Sequence, residues 1–163
     1  PKKIPGTEID DTDDTRVILG VMEQYRKAVE AKNAQTLVDL SDASFRDDGG
    51  SASPDDDLEY SQLYTVLPAR LAKLEDIKLE VSVRKIEVNK ELGQARATYT
   101  YTTNFKLPGL SPKQQSESEI KQMTFVLADK SKRVWKITSG IRSGFVLHTF
   151  VDTPVSAAIP GAP

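Results

Sequence analysis

Apolar residues recur at three- and four-residue steps through the first half of the chain and at two-residue steps through the second. Ile18, Val21, Met22, Tyr25, Ala28 and Val29 fall on one helical face, with Arg26, Lys27 and Glu30 turned away from it. This predicts an amphipathic helix over Thr12–Lys32, capped by Thr12, Asp13 or Asp14. Asn33 ends it and caps a short second helix, Ala34–Leu40. A third helix is predicted to begin near Pro54–Asp57, with a stripe of Tyr60, Leu63, Tyr64, Leu67, Leu71 and Leu74. Pro68 lies inside that stripe and removes a backbone donor, so a kink or break is expected at Leu67–Pro68.

The period then drops to two. Ile77, Leu79, Val81 and Val83 alternate, and Ile86 and Val88 continue on the opposite parity. A one-residue slip of this kind places a β-bulge at Arg84–Lys85, which bends the sheet. After a turn at Glu91–Gly93 comes a long strand, Gln94–Leu107, with Ala95, Ala97, Tyr99, Tyr101, Thr103, Phe105 and Leu107 on one face. Pro108–Gln115 reads as a loop and Glu117–Ala128 as a third strand with Met123, Phe125 and Leu127 on one face. Asp129–Arg133 turns the chain into Val134–Arg142, where Trp135, Ile137 and Ile141 align. The pattern predicts one domain over 14–142, preceded by a flexible acidic leader at 1–13 and followed by a tail at 143–163. In that tail Phe145, Val146, Leu147, Phe150 and Val151 could extend a strand, and Pro154–Pro163 reads as disordered.

Composition narrows the chemistry. The 163-residue chain has a net charge of −2 and no clustered lysine and arginine, which argues against nucleic-acid binding. It has no cysteine, which removes disulfides, thiolate nucleophiles and cysteine-ligated metals together. No apolar run approaches the ~18 residues of a membrane span. The acidic run of Glu8, Asp10, Asp11, Asp13 and Asp14 lacks the spacing of a calcium loop, so no metal and no cofactor is expected. The chain starts at Pro1 with a polar, proline-containing segment, as cleavage of an export signal or trimming of a longer chain would leave it. Exported and cytoplasmic residence both stay open at this point.

Three stretches carry a resemblance. "VILGVMEQYRKAVEAKNAQTLVDLSD" holds Tyr25, Ala28, Asn33, Leu37 and Leu40 in a tyrosine–alanine–asparagine run into two leucines. "GQARATYTYTTNF" is a long strand, and "VLADKSKRVWKITSG" is a hairpin in which a tryptophan precedes Lys-Ile. In this order they resemble the nuclear transport factor 2-like superfamily over about 14–142. The Ser41–Asp57 region departs from members that carry an aromatic, acid-flanked strand there. The resemblance implies an α+β cone, with N-terminal helices packed in the concave side of a bent, four- to six-stranded, mostly antiparallel sheet. It also implies a pocket at the open end. The family includes ketosteroid isomerases, SnoaL-like cyclases, dehydratases and many non-catalytic binding or accessory domains, so the fold does not choose the function.

The isomerase and cyclase chemistry needs a carboxylate or histidine base in an apolar pocket and a donor for an enolate-like oxygen. The one histidine, His148, lies beyond the last strand. Asp47 or Asp48, which follow Phe45, is the alternative catalytic carboxylate, acting with a tyrosine, although adjacent aspartates before Gly-Gly more often make a turn. Tyr25, Tyr64, Tyr99, Tyr101, Phe125 and Trp135 are the expected pocket-lining residues. Glu119 and Lys121 are the charged groups on the inner face. On the reverse face Thr98, Thr100 and Thr102, with Gln122, Thr124 and Val126, make an uncharged band, which an open sheet face rarely carries. Either a second copy or the chain's own tail covers it; the homodimer is favoured. The sequence therefore reads as a non-catalytic domain that binds a small apolar or mixed ligand or serves as an accessory module. The rivals are an acid/base enzyme and a structural interaction domain of an exported protein.

Overall fold

The computed structural model describes residues 2–47, 57–107 and 111–141. The elements are α1 (Asp13–Glu30), α2 (Ala34–Asp39), β1 (Arg46–Asp47), β2 (Leu58–Glu59), α3 (Tyr60–Leu71), β3 (Glu75–Asn89), β4 (Gln94–Leu107), β5 (Ser111–Asp129) and β6 (Val134–Ser139). Strands β3 to β6 form an antiparallel four-stranded sheet in sequence order, and β1 pairs with β2 in a separate ribbon. The helices pack on one face, giving the α+β cone. The register slips between Val83 and Lys85, which is the bulge expected from the parity change.

The helix starts follow the expected caps. Thr12 accepts the Thr15 N–H, and the Asn33 side chain accepts the Thr36 N–H. Polar clamps set the path of α1 across the sheet. At its start, the buried Asp14 accepts hydrogen bonds from Trp135 Nε1 at 2.9 Å and Arg133 Nη1 at 3.0 Å. At its end, Glu30 accepts the Leu79 N–H at 2.8 Å and Lys32 donates to the Leu74 carbonyl at 2.9 Å. The helix thus runs diagonally from β6 to the first half of β3. This leaves the arm of β4 and β5 around Tyr101 and Glu119 to one side.

Several boundaries differ from the sequence reading. The leader is folded: Ile4 N–H donates to Ile9 O at 2.8 Å, Asp11 N–H donates to Lys2 O at 2.7 Å, and Ile9 is buried. Burying Ile9 and pairing Lys3 with Asp10 offset the entropy of ordering this hairpin. Helix α3 starts later than expected because Leu58–Glu59 pairs with Arg46–Asp47. It also passes through Pro68 to Leu71, since one missing donor in a last turn anchored by buried Leu67 and Leu71 is tolerated. Strand β5 begins at Ser111, inside the expected loop, because its ladder with β4 runs on through Lys106–Gln114. Strand β6 stops at Ser139, where Gly140 takes φ 106°. Asp48, His148 and the tail from 143 lie outside the described residues.

Candidate functional site

The inner face of the sheet changes character along its length. At the end beneath the start of α1, Ala95, Ala97, Met123, Phe125, Trp135 and Ile137 are all buried in one apolar cluster. Farther along β4, the cross-strand rows become Val83–Tyr99–Lys121, Val81–Tyr101–Glu119 and Leu79–Thr103–Glu117. Hydroxyls and charges there replace the aliphatic carbons of the first end. Tyr101 is 2% exposed, and its hydroxyl donates to Glu119 Oε2 at 2.9 Å. Lys121 Nζ stands 3.4 Å from the same oxygen. The Glu119 side chain is half exposed, so this chain of three groups leads from the interior to the surface. Thr103 is fully buried, and its Oγ1 has no hydrogen-bond partner among the described residues.

The expected pocket residues therefore separate. Tyr25, Tyr99, Tyr101, Phe125 and Trp135 are buried in one continuous core, the last two at its packed apolar end. Tyr64 does not join them. Its side chain is 54% exposed and packs edge-to-face on Tyr60, with centroids 6.3 Å apart. The stripe of α3 that faces the core is Leu63, Leu67 and Leu71, and Tyr64 lies a step of helical rotation off it. Among the alternative catalytic aspartates, Asp47 is bound by the backbone: Gly140 N–H donates to its Oδ2 at 2.9 Å. That contact ties β1 to the end of β6. No cluster of three metal-ligating side chains occurs among the described residues.

Among the described residues the Asp14 carboxylate is the most enclosed charge. Burial pushes its pKa up, but the hydrogen bonds from Trp135 and Arg133 and the charges of Arg133 and Lys90 outweigh this and hold it below the ordinary 3.8. Its partners are on β6 and the hairpin before it, far from Asp14 in sequence, so no local pattern could have indicated the contact.

The outer face of the sheet divides too. Thr98 and Thr100 lie opposite Gln122 and Ile120, and Thr102 shares a hydroxyl hydrogen bond of 3.1 Å with Ser118. Ile120 stands 58% exposed in this band. Thr124 and Val126 instead line an open groove of about 620 Å³ beside the β3–β4 hairpin. Glu87, Asn89, Gln94, Arg96 and Thr138 complete its polar walls, with Ser44 closing the side beyond β6. The sequence reading did not single out these residues. Their one local signal is that Glu87, Asn89, Gln94 and Arg96 flank the hairpin turn symmetrically on alternating positions, which puts them on one face.

The chain matches no family model and no curated protein by sequence. Solved structures do share its architecture. A conserved protein from Planctomyces limnophilus superposes with a TM-score of 0.64 at 10% identity, covering 77% of this chain and 91% of that one. A nuclear transport factor 2 (NTF2-like) superfamily protein from Salmonella enterica serovar Typhimurium gives 0.63 at 11% identity, covering 77% and 87%. A ketosteroid isomerase-like protein from Erwinia carotovora atroseptica gives 0.64 at 8% identity, covering 79% and 94%. At such identities the common property is the fold.

Proposed function

We propose, for a chain that has the nuclear transport factor 2-like fold, a non-catalytic domain that binds a small ligand of mixed polarity at the inner-face site around Tyr101, Thr103 and Glu119. The observation that carries this reading is the Thr103 hydroxyl, fully buried and without a hydrogen-bond partner among the described residues. Leaving a buried hydroxyl unsatisfied costs about 1–3 kcal/mol, and a valine of similar shape would avoid that cost. A ligand that supplies the missing partner explains why a hydroxyl stands there. Tyr101, Glu119 and Lys121 offer further polar contacts beside it, while the neighbouring core offers apolar ones.

Thr103→Val separates this reading from a purely structural one. The unliganded variant is expected to be as stable as the parent, or more stable by about 1 kcal/mol, in urea unfolding. Native mass spectrometry of gently purified protein and a thermal-shift fragment panel should show binding that Thr103→Val weakens. A marked loss of stability in the valine variant would show that the hydroxyl is already paired, and would remove the basis for the site.

The accessory role includes a second copy. The band of Thr98, Thr100, Thr102, Ser118, Ile120 and Gln122 is uncharged and carries an exposed isoleucine at its middle, which fits an isologous two-fold contact. Thr124 and Val126 sit at its margin, where the groove begins. Sedimentation velocity should find a dimer that Ile120→Lys converts to monomer. A parent protein that stays monomeric at micromolar concentration would count decisively against the contact.

A further inference from the structure

We propose that the outer-face groove is a second ligand site, independent of the inner one, and that it takes a small, singly charged carboxylate bearing hydroxyl or amide groups, with Arg96 as its anchor. The groove's volume of about 620 Å³ lies within the range of metabolite-sized pockets.

Its charges select the ligand. Arg96 has no ion pair within 4.0 Å among the described residues, although Glu87 is its direct cross-strand neighbour. Glu87 turns instead to Lys85, at 3.6 Å. The guanidinium therefore retains its planar fork of donors, which matches a carboxylate in a bidentate way. Among the described lining residues Arg96 is the one cation and Glu87 the one anion, which suits a single negative charge better than a phosphate dianion that the glutamate would repel.

The walls select the rest. The Asn89 side-chain oxygen accepts the Leu92 N–H at 3.1 Å, so its amide NH₂ is the group left for a ligand. Thr124 and Thr138 are joined by a 2.8 Å hydroxyl bond, which orders two more polar groups along one side. Gln94 completes a set of side chains able to bind hydroxyl or amide substituents. Phe125 also lines the groove but is only 1% exposed, so among the described residues hydrogen bonding and charge dominate recognition.

The test is an NMR titration of the full chain with glucuronate, alongside glucose as the neutral analogue and inorganic phosphate as the dianion. Glucuronate should shift the Arg96 Nε–H and the Asn89 and Gln94 side-chain amides in a saturable way, more strongly than either control. Arg96→Ala should weaken this binding at least tenfold while leaving the backbone spectrum dispersed. Glu87→Gln should tighten it about threefold, because the charge it removes is partly screened. Glucose or phosphate binding as well as glucuronate would overturn the assignment, as would no saturable shift or shifts that persist in Arg96→Ala. Dilution of the ligand-free protein is the remaining arm. If the Arg96 and Gln94 resonances move with protein concentration, a second copy occupies the groove and the proposal fails.

Discussion

Replacing Trp135 by alanine is expected to lower the free energy of unfolding by about 3–5 kcal/mol. The side chain is almost wholly buried on β6, in the apolar end of the core that also holds Phe125 and Ile137. Alanine opens a cavity there and also removes the indole donor to Asp14. The loss should appear as a lower urea midpoint with an unchanged slope, the signature of destabilisation without a change in the denatured state. Trp135→Phe should cost less, since it keeps most of the packing and loses the hydrogen bond. Equal stability of Trp135→Ala and the parent would mean that this face of β6 is not the core face.

The same cluster makes part of the stability sensitive to acid. The folded-state pKa of Asp14 is lowered, so its contribution is complete above the ordinary value of 3.8 and is lost as pH falls through the folded-state value. The stability difference between the parent and Asp14→Asn should therefore shrink on acidification below that value. A difference that is constant across the acid range would show that the carboxylate's charge contributes nothing there.

Gly140→Ala is expected to destabilise by about 3 kcal/mol, adding backbone strain to steric conflict. Gly140 has φ 106°, and a Cβ built there would lie 2.7 Å from the Gln122 carbonyl oxygen and 2.8 Å from Met123 Cα. Both are backbone atoms of β5, which cannot swing aside as a side-chain tip would. The close approach also presents the Gly140 N–H to Asp47, so one residue joins the end of β6 to β5 and to β1. Asp47→Ala should cost less by comparison, its bond from the Gly140 N–H being worth about 1 kcal/mol. Thermal unfolding of the two variants checks the order. An alanine at 140 that is tolerated without loss would mean that the β6 end can move away from β5.

All three predictions rest on contacts between residues distant in the chain, and that marks what was legible beforehand. The amphipathic stripe of α1, the caps at Thr12 and Asn33, and the bulge before Lys85 were readable, because each is set by spacing within a few residues. The bounds of β4 were readable for the same reason: an alternating run ends at turn residues on one side and at Pro108 on the other. Local rules failed where tertiary packing took over. Pro68 does not end α3, since Leu67 and Leu71 are held in the core on either side of it. Tyr64 shares the helical period of the leucines but sits on the edge of their stripe, and packing against Tyr60 turned it outward. The leader became a hairpin because Ile9 found a place in the interior, which its polar flanks gave no reason to expect.

The candidate sites divide in the same way. Tyr99, Tyr101, Glu119 and Lys121 could be assigned to the inner face from alternation alone. The bond from Tyr101 to Glu119 depends on the register of β4 against β5, and the state of the Thr103 hydroxyl depends on everything packed around it. The groove around Arg96 draws its walls from β3, β4, β5, β6 and Ser44, so no single segment contains it. Periodicity by itself determined the order of the main helices and long strands and most of the faces they present, because backbone geometry converts spacing directly into direction; the cone followed from the resemblance of that order to a known superfamily. Which polar groups meet, which are left unsatisfied and where the sheet forms a groove were decided only by the tertiary structure, because hydrogen bonds and burial depend on distances that the chain sets only once it is folded.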